Sequence, residues 1–196
     1  MSREATVERK TKETRILLTL NLDERGPSAI HTGIPFLDHM LDLMAAHGFM
    51  TVALRAEGDT EIDDHHTVED IGICFGQAIK AALGDRGGIR RYGEALVPMD
   101  EALVRVVMDI SNRPILAYRV SLNQTRSGEF DLGLIREFFR GLTIHSGITL
   151  HIDLLFGDEP HHASEAIFKA FGRALDHATA IDPRLDGELP TTKGVF

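Results

Sequence analysis

The sequence predicts an α/β protein, a two-layer α/β sandwich built from two similar halves that each follow the order β-β-β-α-β-α. The main observation is an internal repeat within the 196 residues, and the second is that each copy alternates strand-like and helix-like segments. Mixed sheets with helices on one face follow from sequential strands joined by turns and long crossovers. The length fits a single domain over 1–196, with repeats of about 1–92 and about 93–196.

The repeat is clearest when His65 is placed over His161, because HHTVEDIGICFGQA then lies over HHASEAIFKAFGRA. Both copies contain the pattern His-His-x-x-Glu. Upstream the register slips by two residues, so that His47 lies over His145. In that register His39 falls on Glu137.

Periodicity places the elements within each half. A helix is predicted from Pro35, which suits a first turn, to His47, just before a glycine that suits its end. Its counterpart covers 131–142, and two further helices run from the His-His pairs to about residues 83 and 179. A strand-helix-strand crossover is right-handed by default. Alternating apolar residues predict strands at 16–22, 51–56, 103–110, 115–120 and 148–155.

Composition argues against several classes of function. The net charge is −9 without a basic run, so nucleic acid is not an expected partner. No apolar run approaches the roughly 18 residues of a membrane span, and the polar N-terminus has no signal-peptide core. With Cys74 as the single cysteine, we expect a cytoplasmic protein without an internal disulfide.

The paired histidines predict two metal sites. Residues four apart share one helix face, so His65 and Glu69 can bind one metal while His66 points about 100° away. The second copy has the same geometry. We therefore expect a reciprocal arrangement, in which each helix lends its second histidine to the other metal. The two expected groups are His65, Glu69 and His162, and His161, Glu165 and His66.

Each group needs a further ligand, and the preceding helices offer His39 and Glu137 at matching positions. Imidazole and carboxylate ligands without thiolate suit Mn, Fe, Co or Zn. Alternatively, adjacent histidines at a helix start serve only as polar end groups. Asp63 and Asp64 are predicted to cap the helix that follows, and the alternative is that they orient His65 toward a metal by a hydrogen bond.

Three runs of the sequence are distinctive, DDHHTVEDIGICFGQA, HHASEAIFKAFGRAL and LPTTKGVF, and TKET, GIPFLDHML and MDEALVRVVMDISNRP accompany them. In these motifs the chain resembles the imidazoleglycerol-phosphate dehydratases of histidine biosynthesis in their monofunctional form. The resemblance implies removal of water from D-erythro-imidazole glycerol phosphate to give imidazole acetol phosphate. It also implies two manganese ions per site, a 24-subunit shell whose neighbours complete the sites, and a left-handed crossover in place of the default.

The family's metal positions fall on eight residues here, and one of them departs from the pattern. Position 137 is usually histidine in the family, whereas this chain has Glu137, which we expect to bind as a carboxylate. His145 is the competitor, but it lies about two helical turns further on. His151 is interpreted as a structural histidine or as one that supports a metal ligand without binding the metal. The expected ligands are His39, His65, His66, Glu69, Glu137, His161, His162 and Glu165.

The expected reaction needs an electron acceptor, because the leaving hydroxyl has no neighbouring carbonyl. A dimetal-bound imidazolate could expel it through a diazafulvene-like intermediate. Glu13, in TKET, matches the family's catalytic glutamate. The alternative interpretation is that Glu13 is an ordinary solvated charge at the start of a strand. The resemblance assigns the phosphate to cations and hydroxyl donors. The expected substrate-binding residues are Glu13, His47, Arg91, Arg113, Lys169, Thr191, Thr192 and Lys193.

Two other functions remain open at this point. A binuclear metallohydrolase acting on a phosphate ester would share the metals but would use water as its nucleophile. A non-catalytic metal-storage shell would give Glu13 and Lys193 no role. The family resemblance favours the dehydratase over both.

Overall fold

A computed structural model describes residues 3–193, and its first half forms a four-stranded sheet with two helices. The strand order in this sheet is β1-β2-β4-β3, with β3 and β4 parallel and the other neighbours antiparallel. The elements are β1 (Glu4–Lys10), β2 (Thr14–Asn21), β3 (Ala29–His31), α1 (Pro35–His47), β4 (Thr51–Gly58) and α2 (His65–Leu83).

The second half repeats this plan, with the sheet order β5-β6-β10-β7 and β7 parallel to β10. It adds a small two-stranded ribbon and a short 3-10 turn (Pro183–Leu185) after the last helix, and neither was predicted. The other elements are β5 (Tyr92–Met99), β6 (Ala102–Asp109), β7 (Ile115–Arg119), the ribbon strands β8 (Arg126–Ser127) and β9 (Phe130–Asp131), α3 (Gly133–Ser146), β10 (Thr149–Phe156) and α4 (Pro160–Thr179). The predicted fold class and the repeated element order are therefore confirmed.

The helices of the two halves pack on each other, α1 against α4 and α2 against α3. Glycines allow a close approach of α2 and α3, since a Cβ added at Gly72 would lie 2.3 Å from the Phe138 carbonyl oxygen. Fully buried phenylalanines, including Phe139 and Phe171, fill the space between the helices, with ring centroids 5.1 Å apart. This packing carries the start of α4 to α1 of the other half.

The starts of α2 and α4 place both His-His pairs at helix N-termini. Asp64 precedes α2 but its side chain makes no cap hydrogen bond, so the prediction that it caps the helix is wrong. Asp63 serves instead, because its Oδ1 accepts from the His65 N–H at 2.8 Å. In α4 the Glu159 side chain accepts from the His162 N–H at 2.8 Å. Each pair therefore begins a helix that a neighbouring carboxylate holds in place.

No helix within residues 3–193 is both long and apolar enough to cross a membrane.

Candidate metal centre and active site

Three ligand-type side chains meet where α1 packs against the start of α4. The Nε2 atoms of His39 and His161 lie 3.1 and 3.0 Å from the same Oε1 of Glu165. Within residues 3–193 this is the one group of at least three His, Cys, Asp or Glu side chains whose ligand atoms all lie within 4.8 Å. The packing of α1 on α4 therefore pairs His39 with the second His-x-x-x-Glu motif, a choice that the sequence left open.

Glu165 is the buried member of this cluster, with a side chain that is 10% exposed. Its second oxygen accepts from Lys169 Nζ at 2.6 Å, and Lys169 also contacts Met99 Sδ at 3.2 Å. Burial opposes ionisation of Glu165, but Lys169 and the hydrogen bonds of His39 and His161 outweigh it and lower the pKa to about 2. Glu165 is therefore a carboxylate at neutral pH.

The cluster fits a divalent metal ion. Two imidazole nitrogens and an ionised carboxylate oxygen converge on one point, and the histidine side chains remain 47% and 41% exposed. Mn, Fe, Co and Zn accept such nitrogen and oxygen ligands. The exposed side leaves room for further ligands from substrate or from another chain.

The first His-His-x-x-Glu motif forms a looser pair. His65 Nε2 lies 3.8 Å from Glu69 Oε2, and both side chains are more than one-third exposed. Glu137 does not join them in a compact group within the described residues. Its Oε2 accepts instead from Arg140 Nη1 on the same helix, at 3.1 Å.

The second histidine of each motif points to a carboxylate of its own half. His66 Nδ1 lies 3.0 Å from Asp59 Oδ2, and the hydrogen bond to Asp59 raises the His66 pKa. His162 Nδ1 lies 2.8 Å from Glu101 Oε2, and that hydrogen bond raises the His162 pKa. Among residues 3–193, neither joins the opposite His-Glu pair in a compact group, so one chain does not contain the expected reciprocal arrangement.

Glu13 lies in the tight turn between β1 and β2, beside a cavity of about 370 Å³. Thr11 Oγ1 accepts from the N–H groups of Glu13 and Thr14 at 3.0 and 2.9 Å. The Glu13 carbonyl accepts from the Asp59 N–H at 3.1 Å. With its backbone held on both sides, Glu13 places Oε1 4.0 Å from His66 Nε2.

The structure brings together the two predicted phosphate-binding arginines and the C-terminal segment. Arg91 Nε lies 2.7 Å from Asp109 Oδ1, and Arg113 Nη2 lies 3.6 Å from Asp109 Oδ2. The hydrogen bond between Arg91 and Asp109 raises the Arg91 pKa. Arg91 Nη1 also donates to the Pro190 carbonyl at 2.9 Å. Thr191 Oγ1 accepts from the Lys193 N–H at 3.1 Å, and Thr192 lies between them. The remaining residues of the predicted tail motif, 194–196, lie outside the described residues.

These cations lie far from the histidine cluster of the same chain. The Arg91 N–H donates to the carbonyl of Ala178, near the end of α4, whereas His161 is at its start. At 1.5 Å per residue, the separation along α4 is about 25 Å. Lys169 lies between the two ends but bonds to Glu165.

His47, the last residue of α1, lies close to Lys169 and Arg173 of α4. Its pKa is lowered, first by burial and then by the charges of Lys169 and Arg173. The His145 ring bonds to the Gly141 carbonyl of its own helix at 2.9 Å, which does not support it as a substitute for position 137. His151 Nδ1 lies 3.3 Å from Arg119 Nη2, a contact on the strand surface.

Sequence reasoning missed the carboxylates that support these residues. Asp59 and Glu101 lie in loops and bond to the second histidines, and Asp109 joins the two arginines. Asp70, buried in α2, bonds to Thr14 Oγ1 at 2.5 Å and thus holds the strand that follows Glu13. The repeat carried no signal for these residues, because Asp59 and Glu101 occupy different loops in the two halves.

Comparison with known proteins gives a consistent result over the length of the chain. A model of the family described as imidazoleglycerol-phosphate dehydratase matches residues 32–175. The enzymes of that name from Pelobacter propionicus and Aromatoleum aromaticum are 57% and 59% identical to it, over 100% and 99% of this chain and 100% of theirs.

Two solved structures show the same fold. The imidazoleglycerol-phosphate dehydratase of Staphylococcus aureus is 42% identical with a TM-score of 0.84, and the alignment covers 91% of this chain and 99% of that one. The enzyme from Pyrococcus furiosus, solved in complex with (S)-C348, is 36% identical with a TM-score of 0.85, over 97% of this chain and 100% of that one.

The duplicated α/β fold and the relatives' shared name define a hydro-lyase, an enzyme that removes water from its substrate. The chain belongs to the imidazoleglycerol-phosphate dehydratase family, whose activity is part of histidine biosynthesis. Its 196 residues align over the full length of the Pelobacter propionicus relative.

Proposed function

We propose that the chain converts D-erythro-imidazole glycerol phosphate to imidazole acetol phosphate by loss of water, at a site with two divalent metal ions. The observation that carries this proposal is the convergence of His39, His161 and Glu165 in a chain of this family. We place the reaction in the cytoplasm, as the single cysteine and the biosynthetic role of the family suggest.

Two groups of residues would hold the ions, most simply Mn(II). His39, His161 and Glu165 would bind one, and His65, Glu69 and Glu137 would bind the other. Each group would be completed by a second histidine, His66 or His162, from another copy of the chain. When bound, the ions would supply Lewis acidity to the imidazole ring of the substrate.

The protein's own groups would move the proton and hold the substrate. The ionised ring would expel the hydroxyl from the side-chain carbon bonded to it, which would give a diazafulvene-like intermediate. Glu13, the base in this proposal, would take the poorly acidic proton from the next carbon of the side chain, and the resulting enol would become the ketone of the product. Cations and hydroxyl groups would bind the phosphate, with His47 close to the substrate. The phosphate-binding residues would be Arg91, Arg113, Lys169, Thr191, Thr192 and Lys193.

The distance along α4 favours sites shared between subunits. About 25 Å separates the histidine cluster from the Arg91 region, and a substrate with a three-carbon chain cannot span it. This separation supports the proposal that one chain alone does not form a complete site from this set of residues. We propose a homo-oligomer, with 24 subunits as the family resemblance implies, in which neighbours supply the missing groups.

The decisive experiment follows two products from the same substrate. Purified protein with Mn²⁺ and imidazole glycerol phosphate should form imidazole acetol phosphate without release of inorganic phosphate. Release of inorganic phosphate without dehydration of the substrate would support the metallohydrolase. No turnover, together with Mn²⁺ uptake well beyond two ions per subunit, would support a storage shell.

Metal removal tests the link between the ions and assembly. Ligands from several segments and subunits should couple binding to association, so full chelation should disperse the oligomer or unfold part of it. Analytical ultracentrifugation before and after chelation, and after Mn²⁺ is restored, measures this. An unchanged sedimentation profile in metal-free protein contradicts the coupling.

A further inference from the structure

Asp59 touches both an expected metal ligand and the turn that carries the proposed base. It lies in the loop between β4 and α2, and its side chain is only 15% exposed. Its two carboxylate oxygens lie 3.2 and 3.0 Å from His66 Nδ1. An ionised carboxylate is acceptor-only, so the His66 Nδ1–H must donate to it.

This contact selects the other ring nitrogen for a ligand. With its proton on Nδ1, neutral His66 has its lone pair on Nε2, and this atom faces the Glu13 carboxylate at 4.0 Å. His39 and His161 likewise direct Nε2 toward Glu165. All three histidines therefore present the same nitrogen toward their site.

The second half achieves the same result with a different residue. Glu101, in the β5–β6 turn, lies 2.8 Å from His162 Nδ1. Since Asp59 and Glu101 lie in different loops, duplication of the sequence alone does not account for the contact. Both second histidines nevertheless have a carboxylate on Nδ1.

We infer that Asp59 is a positioning residue that holds the His66 ring in the tautomer and direction that direct Nε2 to the metal. The inference rests on the proposed function. The Asp59 backbone adds a second link, because its N–H donates to the Glu13 carbonyl at 3.1 Å. That bond survives any change of the side chain, so substitutions at position 59 test the carboxylate alone.

Binding of Mn²⁺ alone to the assembled full-length protein tests the inference, with free Mn²⁺ measured by electron paramagnetic resonance. Asp59→Ala should weaken the binding of one ion per subunit by about 10- to 100-fold, the usual effect of losing such an outer partner. Asp59→Asn should lose less, because the amide oxygen still accepts from Nδ1. The matched control is Glu61→Ala, an exposed acid of the same loop, which should stay within about twofold of the wild type.

A double-mutant cycle separates positioning from a general structural effect. Once His66→Ala has removed the ring, Asp59→Ala should cause no further loss of Mn²⁺ affinity. Wild-type affinity in Asp59→Ala, or the same loss with and without His66, overturns the inference. If Asp59→Ala fails to fold, the same comparison is made with Asp59→Asn in the wild-type protein and in His66→Ala. Failure of the wild-type protein to bind Mn²⁺ or to dehydrate the substrate would instead count against the proposed function.

Discussion

The two copies of His-His-x-x-Glu have the same sequence spacing but different surroundings. In α4, Glu165 is buried and bonds to His161, His39 and Lys169 at 2.6–3.1 Å. In α2, Glu69 is 36% exposed and lies 3.8 Å from His65. One chain therefore presents a compact ligand group in one half and an open pair in the other.

The difference arises in the preceding helix of the opposite half. Position 39 is histidine and reaches Glu165, whereas the matching position 137 is glutamate and bonds to Arg140. The Glu137 and Glu69 carboxylates repel each other unless a cation lies between them, whereas Arg140 offers Glu137 a guanidinium partner on the same helix. The α2 group (His65, Glu69 and Glu137) therefore depends on its metal to hold it together more than the α4 group (His39, His161 and Glu165) does.

The turns that follow the first strands provide the largest expected contrast. Glu13 faces His66 Nε2, whereas Glu101 bonds to His162 Nδ1. As the proposed base, Glu13→Gln should lower kcat by about 10²- to 10⁴-fold while Mn²⁺ and substrate still bind. Glu101→Gln should mainly weaken Mn²⁺ binding. Steady-state kinetics with parallel Mn²⁺ titrations measure both, and normal turnover in Glu13→Gln removes it as the base.

The ligands from the preceding helices give the next contrast. His39→Ala removes a direct ligand of the compact group and should weaken one Mn²⁺ ion by more than the roughly 10- to 100-fold typical of an outer partner. Glu137→Ala should cost less, since its carboxylate already bonds to Arg140. His145→Ala is the control, because this histidine bonds to its own helix. Equal losses for His39→Ala and His145→Ala contradict the assigned ligand group.

Acid should destabilise the two halves unequally in metal-free protein. The Glu165 pKa is lowered from 4.5 to about 2, so its stabilising contribution is present above pH 4.5 and is lost as the pH falls toward 2. The loss should reach at most about 3 kcal/mol. The free energy of unfolding in urea, measured between pH 6 and pH 3, should fall less steeply in Glu165→Gln than in the wild type. The profile of Glu69→Gln should stay close to that of the wild type. Parallel profiles for the wild type and Glu165→Gln would refute this role of Glu165.

The repeat allowed most of the fold to be predicted, because hydrophobic periodicity acts locally. The bounds of α1, Pro35–His47, agree with the prediction, and five strands lie within a few residues of it. The sheet strands β1, β3 and β5 had no predicted bounds. The core-side positions of β1 include Ala5 and Arg9, which give weak alternation, and the outward side of β5 includes Leu96.

The candidate site could be predicted less completely, since its contacts depend on packing between halves. Helix geometry correctly separates His65 from His66, but it cannot show which preceding helix approaches which motif. It also cannot reveal Asp59 or Asp109, because isolated acids in loops and at strand ends have no periodic signature. Glu137 and Arg140 lie three residues apart on one helix, so their ion pair could have been predicted from the spacing.

That ion pair gives the smallest expected effect and tests why the α2 group is open. Arg140 is 57% exposed, so its removal should change stability by no more than about 0.5 kcal/mol. Arg140→Ala should free Glu137 to approach His65 and Glu69, and should strengthen the weaker Mn²⁺ site by about two- to threefold, the effect expected from losing an exposed pair worth about 0.5 kcal/mol. Arg136→Ala, one turn earlier on α3, is the matched control for the loss of charge alone. If both arginine variants shift Mn²⁺ affinity equally, the effect is general electrostatics, and the open α2 pair must have another cause than the orientation of Glu137.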